Sequence, residues 1–147
     1  EQMPPTAEVP AAAGIDLETG ILKLEELKAI FTGLPVDLTF VDAEDTVRFF
    51  SEGPDRVFPR SKAIIGRKVQ HCHPPKSVNV VEQILGDFRA GRQSKAEFWI
   101  NFRGKFVYIR YFALRDPAGK YLGCLEVTQD ATALRALTGE RRLLHYS

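Results

Sequence analysis

Two imidazoles and a thiol stand side by side at His71, Cys72 and His73, directly before two prolines. Imidazole nitrogen and thiolate sulfur are good ligands for zinc, copper and haem iron. A closed zinc site needs about four ligands, and the other candidates, Cys124 and His145, lie at no recognised spacing. The remaining hypothesis is a metal or haem redox sensor that uses His71 and Cys72, with any haem bound non-covalently.

A second set of candidate binding residues lies on two consecutive strand-like segments. Apolar and polar residues alternate through Lys95–Arg103, whereas Phe106–Arg115 is apolar on both faces. Small-molecule sites are mostly apolar with a few directing polar groups. The residues predicted to bind a ligand are therefore Phe98, Ile100, Tyr108, Arg110 and Phe112, together with His71. The alternative for most of the aromatic residues is that they simply fill a core.

Two of the side chains on these segments need a partner. Arg110 lies in the middle of an apolar strand, where a guanidinium must be paired, exposed or directed at an anionic ligand. Its structural alternative is an ion pair with Glu97 or Glu126. Trp99 falls on the more polar face of its strand, which predicts a contact either with a preceding helix around Leu24–Phe31 or with a second copy of the chain.

Periodicity along the chain predicts the elements that position these residues. A helix over residues 22–34 is followed by a hairpin over Val36–Ser51, short turns, and a long helix from Pro75 to the cap residue Gly91. Three consecutive strands, Lys95–Arg103, Phe106–Arg115 and Tyr121–Gln129, then form a meander. This order predicts an α+β fold, a five-stranded antiparallel sheet with helices packed on one face.

The ends of the chain have a different character. Residues 1–21 include a Pro- and Ala-rich stretch without periodicity, which predicts a disordered leader or linker. Residues 133–147 carry Leu134, Leu137 and Leu144 at a spacing that suits a short output or dimerisation helix. The alternative is a frayed end left by cutting a longer parent protein, and the first residue, Glu1, agrees with such a piece.

Composition narrows the function classes without naming a partner. The 147 residues suit one domain, and a formal net charge of +1 gives no argument for nucleic acid or membrane lipid. Two widely separated cysteines predict a reducing, cytoplasmic location rather than a disulfide framework. Since no phosphate-binding loop, nucleophile elbow or zinc-protease pattern occurs, we expect no enzymatic activity.

Several short segments resemble the PAS domain, a small sensor fold. They are Leu34–Asp42, Ile65–Val69 with His73-Pro74, Arg115–Gly119 with Gly123, and Asp130-Ala131-Thr132. The resemblance implies a sensor domain over residues 35–132, a turn organised by His73, and a signal relay through Asp130 and Thr132 to the tail. The sequences of Phe98–Asn101 and Phe106–Tyr111 are similar to those of the PAS domains found at the C-terminus of prokaryotic proteins with a hemerythrin-like domain. The function of those PAS domains is poorly defined.

The resemblance implies a sensory module that binds an unidentified small molecule or cofactor between sheet and helix. It implies a homodimer and further domains of a longer parent chain as partners. Two alternatives remain open at this point. One is a ligand-free module for protein–protein interaction, and the other is the haem or metal sensor at His71 and Cys72.

Overall fold

A computed structural model describes residues 14–146. Its strands are β1 (Ile15–Asp16), β2 (Ile21–Leu22), β3 (Asp37–Asp42), β4 (Val47–Phe50), β5 (Lys95–Phe102), β6 (Lys105–Arg115) and β7 (Tyr121–Asp130). Its helices are α1 (Leu24–Gly33), α2 (Pro75–Ala90) and α3 (Thr132–Arg135), with 3₁₀ turns at Lys62–Ile64 and Val69–Cys72. The predicted helices, hairpin and meander of residues 22–130 are confirmed.

The five long strands form one antiparallel sheet in the order β4-β3-β7-β6-β5. Directly paired residues share a face of a sheet, so the register assigns every side chain to one of two faces. Thr39, Glu126, Tyr111 and Ala96 are paired in a row and define what we call the inner face. Their neighbours along each strand point to the opposite, outer face. The predicted α+β fold is confirmed.

The long helix α2 covers the inner face because its apolar side recurs every three or four residues. Pro75 occupies its first turn, and Gly91 ends it with a φ of 76°, a left-handed conformation that glycine adopts without strain. Leu85 and Phe88 of α2 pack with Val47 and Cys124 of the sheet in one buried cluster. Phe88 is only 1% exposed, and burying such a side chain contributes about 1.5–3 kcal/mol.

The first helix, α1, lies at the other edge of the sheet from Trp99. The ring of Phe31 on α1 packs against Phe49 of β4 with centroids 5.0 Å apart. Trp99 belongs to β5, the opposite edge strand, and is 61% exposed. The predicted contact between Trp99 and α1 is therefore wrong, which leaves the second-copy alternative as a prediction.

The two ends differ from the sequence-based prediction. Within the segment predicted as a disordered leader, β1 and β2 pair as a small antiparallel hairpin, and the rest of that segment up to residue 13 lies outside the described residues. The predicted helix over 133–147 is wrong beyond its first turn, because α3 ends at Arg135. Gly139 takes a φ of 64°, and Leu137 and Leu144 are 72% and 80% exposed. A single turn with no buried side chain is too short to propagate.

Candidate functional site

A cavity of about 700 Å³ lies between the inner face of the sheet, α2 and the connecting segment 58–74. Most of its wall is apolar. The apolar lining side chains are Val41, Val47, Phe58, Ile64, Val69, Val80, Val81, Ile84, Leu85, Phe98 and Ile109. Small-molecule sites typically measure about 300–1,000 Å³ and have such walls, so this cavity has the size and polarity of a ligand site.

One end of the cavity is polar. The Arg60 guanidinium and the Glu126 carboxylate pair at 3.1 Å, and both line the cavity with Tyr111 and Thr39. Burial, followed by the charge of Glu126 and a hydrogen bond to it, raises the pKa of Tyr111 well above its usual value. Tyr111 is thus a neutral hydroxyl beside an ion pair. This end offers hydrogen-bond donors and acceptors within an otherwise apolar wall.

Both cysteines of the chain line the same cavity. Cys124 is 5% exposed on the inner face of β7, and burial, with the nearby carboxylates of Glu126 and Asp45, raises the pKa of its thiol to about 12. Cys72 is only half-buried, at the end of the second 3₁₀ turn. Because the thiolate is the reactive form of cysteine, Cys124 is an inert wall residue at neutral pH.

The His-Cys-His cluster is divided between the cavity and solvent. His73 lines the cavity, and its ring Nδ1 lies 2.9 Å from the Val69 carbonyl. An Nδ1–H donating to that carbonyl closes the turn before Pro74, as predicted, and leaves Nε2 as the free acceptor. His71 is exposed and does not line the cavity. Across residues 14–146, no group of three or more His, Cys, Asp or Glu side chains is arranged to hold a metal.

The sequence profile of the PAS domain family matches residues 27–132. The chain belongs to the PAS domain family. PAS domains are sensory modules, generally without enzymatic activity, and commonly form part of multidomain signalling proteins. The matched range begins within α1 and ends at Thr132, so it includes the whole cavity and the predicted relay residues.

Solved structures agree with this assignment. The C-terminal domain of a Streptococcus mutans protein is 33% identical, with a TM-score of 0.79 over 83% of this chain and 95% of that one. The PAS domain of a Colwellia psychrerythraea protein is 16% identical (TM-score 0.54; 74% of this chain, 96% of that one). The PAS domain of BvgS from Bordetella pertussis is 18% identical (TM-score 0.52; 76% and 91%). The last two share the fold alone. No curated protein matches the chain, and the hemerythrin-associated subgroup stays a prediction.

The structure separates the predicted ligand-binding residues of this PAS domain. Phe98 lines the cavity, whereas Ile100 lies further along the same face, 39% exposed and outside the lining. Tyr108, Arg110 and Phe112 alternate with the inner-face residues of β6 and therefore lie on the outer face. The prediction that they share one site with Phe98 is wrong. Strand β6 is apolar on both faces, so its sequence does not indicate which face adjoins Phe98, and the prediction chose the outer face.

On the outer face, Arg110 stacks between two aromatic rings. Its guanidinium carbon lies 4.8 Å from the Tyr108 ring centroid and 5.7 Å from that of Phe112. Glu97 stands opposite Arg110 in the register and accepts a hydrogen bond from the Tyr108 hydroxyl, which is the main reason that its pKa is lowered. Glu126 pairs with Arg60 on the inner face, so the predicted Arg110–Glu126 pair is wrong.

The predicted relay residues form a compact junction. The Asp130 carboxylate accepts hydrogen bonds from the Thr132 backbone amide at 3.0 Å and from the Thr132 hydroxyl at 2.6 Å. These bonds lower the pKa of Asp130. The Thr132 hydroxyl in turn accepts from the Phe106 amide at 2.9 Å. These bonds connect the end of β7 both to Thr132, the first residue of α3, and to the start of β6.

Sequence reasoning missed the polar end of the cavity. Arg60 lies in an irregular loop, where no periodicity assigns a side chain to a face. Glu126 offered a weak signal, since it is an acid in the middle of a mostly apolar strand, but its partner could not be chosen without the fold. None of the helices among the described residues combines the length and apolar character required to cross a bilayer.

Proposed function

We propose that this PAS domain senses a small, largely apolar molecule that carries one polar end. The supporting observation is the cavity of about 700 Å³, whose wall is mostly apolar and has a polar end formed by Arg60, Glu126 and Tyr111. Its apolar wall favours burial of a hydrocarbon or aromatic body. The ion pair favours a ligand group that both donates and accepts hydrogen bonds, because Arg60 only donates and Glu126 only accepts.

The signal would leave along β7. Glu126 and Asp130 lie on the same face of this strand, four residues apart, so a ligand that competes for Glu126 acts on the strand that ends at the Asp130–Thr132 junction. Such a ligand shifts the population of two arrangements by no more than its difference in affinity for them. The tail after Thr132 then passes the change to attached domains or to a second copy.

A cavity-filling substitution tests this proposal. Ile84 of α2 lines the cavity, and a tryptophan at this position is expected to occupy the ligand volume. Gln83 is the exposed neighbour on the same helix and provides the matched control. The fluorescence of anilinonaphthalene sulfonate, an apolar anionic probe, should rise on binding the wild type and Gln83→Trp and fail to rise with Ile84→Trp. Equal probe binding by all three folded proteins would contradict the proposal.

A ligand-free interaction module is the second candidate, supported by the exposed Trp99 on the outer face of an edge strand. Tryptophan is enriched among residues that dominate interfaces, where truncation costs about 2 kcal/mol or more. We expect Trp99→Lys to weaken a homodimer by at least tenfold in sedimentation equilibrium. Asn101→Lys, on the same exposed face, is the control. An unchanged monomer–dimer constant for Trp99→Lys would exclude this surface.

The haem or metal hypothesis needs revised ligands. Because His71 is exposed and outside the cavity, an axial bond inside it would come from Cys72 or from Nε2 of His73. Reconstitution with haemin should then give a Soret band that is lost in His73→Ala or Cys72→Ala and retained in His71→Ala. A band lost only in His71→Ala would restore the original assignment.

We also propose where in the cell the protein acts and that it catalyses no reaction. Cys72 and Cys124 are both free, which suits a reducing compartment such as the cytoplasm. The raised pKa of Cys124 keeps it protonated and non-nucleophilic. We accordingly propose a cytoplasmic, non-enzymatic role in which the cavity binds its ligand without changing it.

A further inference from the structure

A second pocket of about 290 Å³ lies away from the central cavity, with which it shares no lining residue. It is bounded by the C-terminal end of α1, the loop Gly53–Val57 and the last residues of β7. Asp130, the acceptor for both Thr132 bonds, belongs to its wall. The pocket therefore touches the first helix and the relay junction at once.

The Thr128 hydroxyl is the observation that points to a ligand here. Thr128 lines the pocket and is only 1% exposed. Its oxygen has no hydrogen-bond partner among residues 14–146. A buried polar group without a partner is unfavourable, and nearly all such groups in folded proteins are satisfied. A bound donor would satisfy it.

The charge around this hydroxyl is negative. Asp37, directly opposite Thr128 in the register, has one carboxylate oxygen occupied by the Val57 amide at 2.8 Å. Asp55 and Asp130 complete an acidic wall. The Thr132 amide and hydroxyl both donate to the same Asp130 oxygen, Oδ1. A second carboxylate oxygen on Asp37 and on Asp130 therefore has no hydrogen-bond partner among the described residues.

The end of α1 adds to this negative potential. Helix C-termini carry partial negative charge on carbonyls that lack intrahelical partners. The last turn of α1 contains no basic residue, and Pro35, which follows it, has no N–H to donate. Arg56 interacts electrostatically with Asp37, and Lys105 with Asp130, but neither cation lines this pocket. The Arg56 guanidinium donates to the Ser51 and Phe58 carbonyls.

We propose that this pocket binds the primary ammonium group of a small organic amine. An ammonium has three N–H donors, which match the hydroxyl of Thr128 and the unoccupied carboxylate oxygens of Asp37 and Asp130. A metal ion is disfavoured, since within the described part of the chain no three acidic side chains converge to hold one. A bound amine would link the end of α1 to Asp130 and act as a second input to the relay.

The test compares two cations of equal charge by ¹H–¹⁵N NMR on the whole chain. Methylammonium is expected to shift the amides of Gly53, Val57 and Thr128 saturably, whereas tetramethylammonium, which has no N–H, should leave them unmoved. Thr128→Val keeps the branched shape and removes the hydroxyl, so it should weaken methylammonium binding about tenfold or more. Asp55→Asn should weaken it without affecting the fold, because Asp55 is exposed.

Thr19→Val, in an exposed turn outside both pockets, is the matched control and should bind like the wild type. Equal shifts from the two cations would overturn the proposal, because charge alone would then explain them. So would a Thr128→Val protein that binds methylammonium as the wild type does, or a wild type in which calcium chloride alone produces the shifts. If anilinonaphthalene sulfonate does not bind in the central cavity, the amide shifts expected from methylammonium are unchanged. Failure of the proposed function and failure of this proposal are therefore distinguishable.

Discussion

Replacing Gly123 by alanine is expected to damage the pairing of β3 with β7 more than any change in a turn. A Cβ at Gly123 would lie 2.2 Å from the Val41 carbonyl oxygen, and 2.8 and 2.9 Å from two atoms of the Phe40 ring. The Val41 oxygen is backbone, so it cannot move without disturbing β3. Gly123 also has a φ of 150°, a backbone conformation that residues other than glycine rarely adopt.

The two effects add to a measurable loss. Overpacking costs about 1–3 kcal/mol, and forcing alanine into this backbone conformation costs about 1–3 kcal/mol more. We therefore expect Gly123→Ala to lower the free energy of unfolding by about 2–6 kcal/mol, out of the roughly 5–15 kcal/mol typical of a domain. For a chain of this size the melting temperature should fall by on the order of 10 °C.

Gly119→Ala is the matched control for strain without collision. Gly119 has a φ of 87°, but no atom lies within 4 Å of the added Cβ. Urea unfolding, followed by circular dichroism, should show a loss for Gly119→Ala of about 1–2 kcal/mol, clearly smaller than that for Gly123→Ala. Equal losses at the two positions would refute the argument that β3 approaches β7 this closely.

Three further outcomes follow from the same structure. Phe88→Ala, at a residue only 1% exposed, should lower the free energy of unfolding by about 3–5 kcal/mol in urea titration; a loss below about 1 kcal/mol would contradict its place in the core. Iodoacetamide at neutral pH should label Cys72 well before Cys124, whose thiol is buried with a pKa of about 12; equal rates by peptide mass spectrometry would argue against the buried position. The hydrogen bonds from Thr132 lower the pKa of Asp130 in the folded state. The stability that its ionised carboxylate contributes is therefore present above the unfolded pKa of about 4 and is lost as the pH falls below it. Asp130→Asn should flatten this loss of stability in acid, and an unchanged pH profile would contradict the Asp130–Thr132 bonds.

The fold could be predicted because the sequence patterns that indicate its helices and strands each lie within a short stretch of the chain. The alternation of Lys95–Phe102 and the α2 boundaries at Pro75 and Gly91 depend on short stretches of sequence. The antiparallel meander then follows from short turns. The tail was predicted less well, because the spacing of its leucines says nothing of whether a surface exists for them to pack against.

The candidate site was predictable only in part, because it depends on which face a residue occupies. Strand alternation places Tyr111 on one face of β6 and Arg110 and Phe112 on the other. Because both faces are apolar, the sequence does not indicate which of them lines the cavity. Arg60 could not be found at all, since it reaches Glu126 from 66 positions away through an irregular loop. Long-range pairing of this kind is decided by the packed fold rather than by local spacing.

Native mass spectrometry of the purified chain, in wild-type form and as Ile84→Trp, tests the central claim most directly. The claim is that the cavity between the sheet and α2 holds a guest molecule. The wild type should carry a non-covalent mass excess that disappears on denaturation and is missing from Ile84→Trp. An identical adduct on both proteins, or none on a wild type that also fails to bind apolar probes, would contradict it.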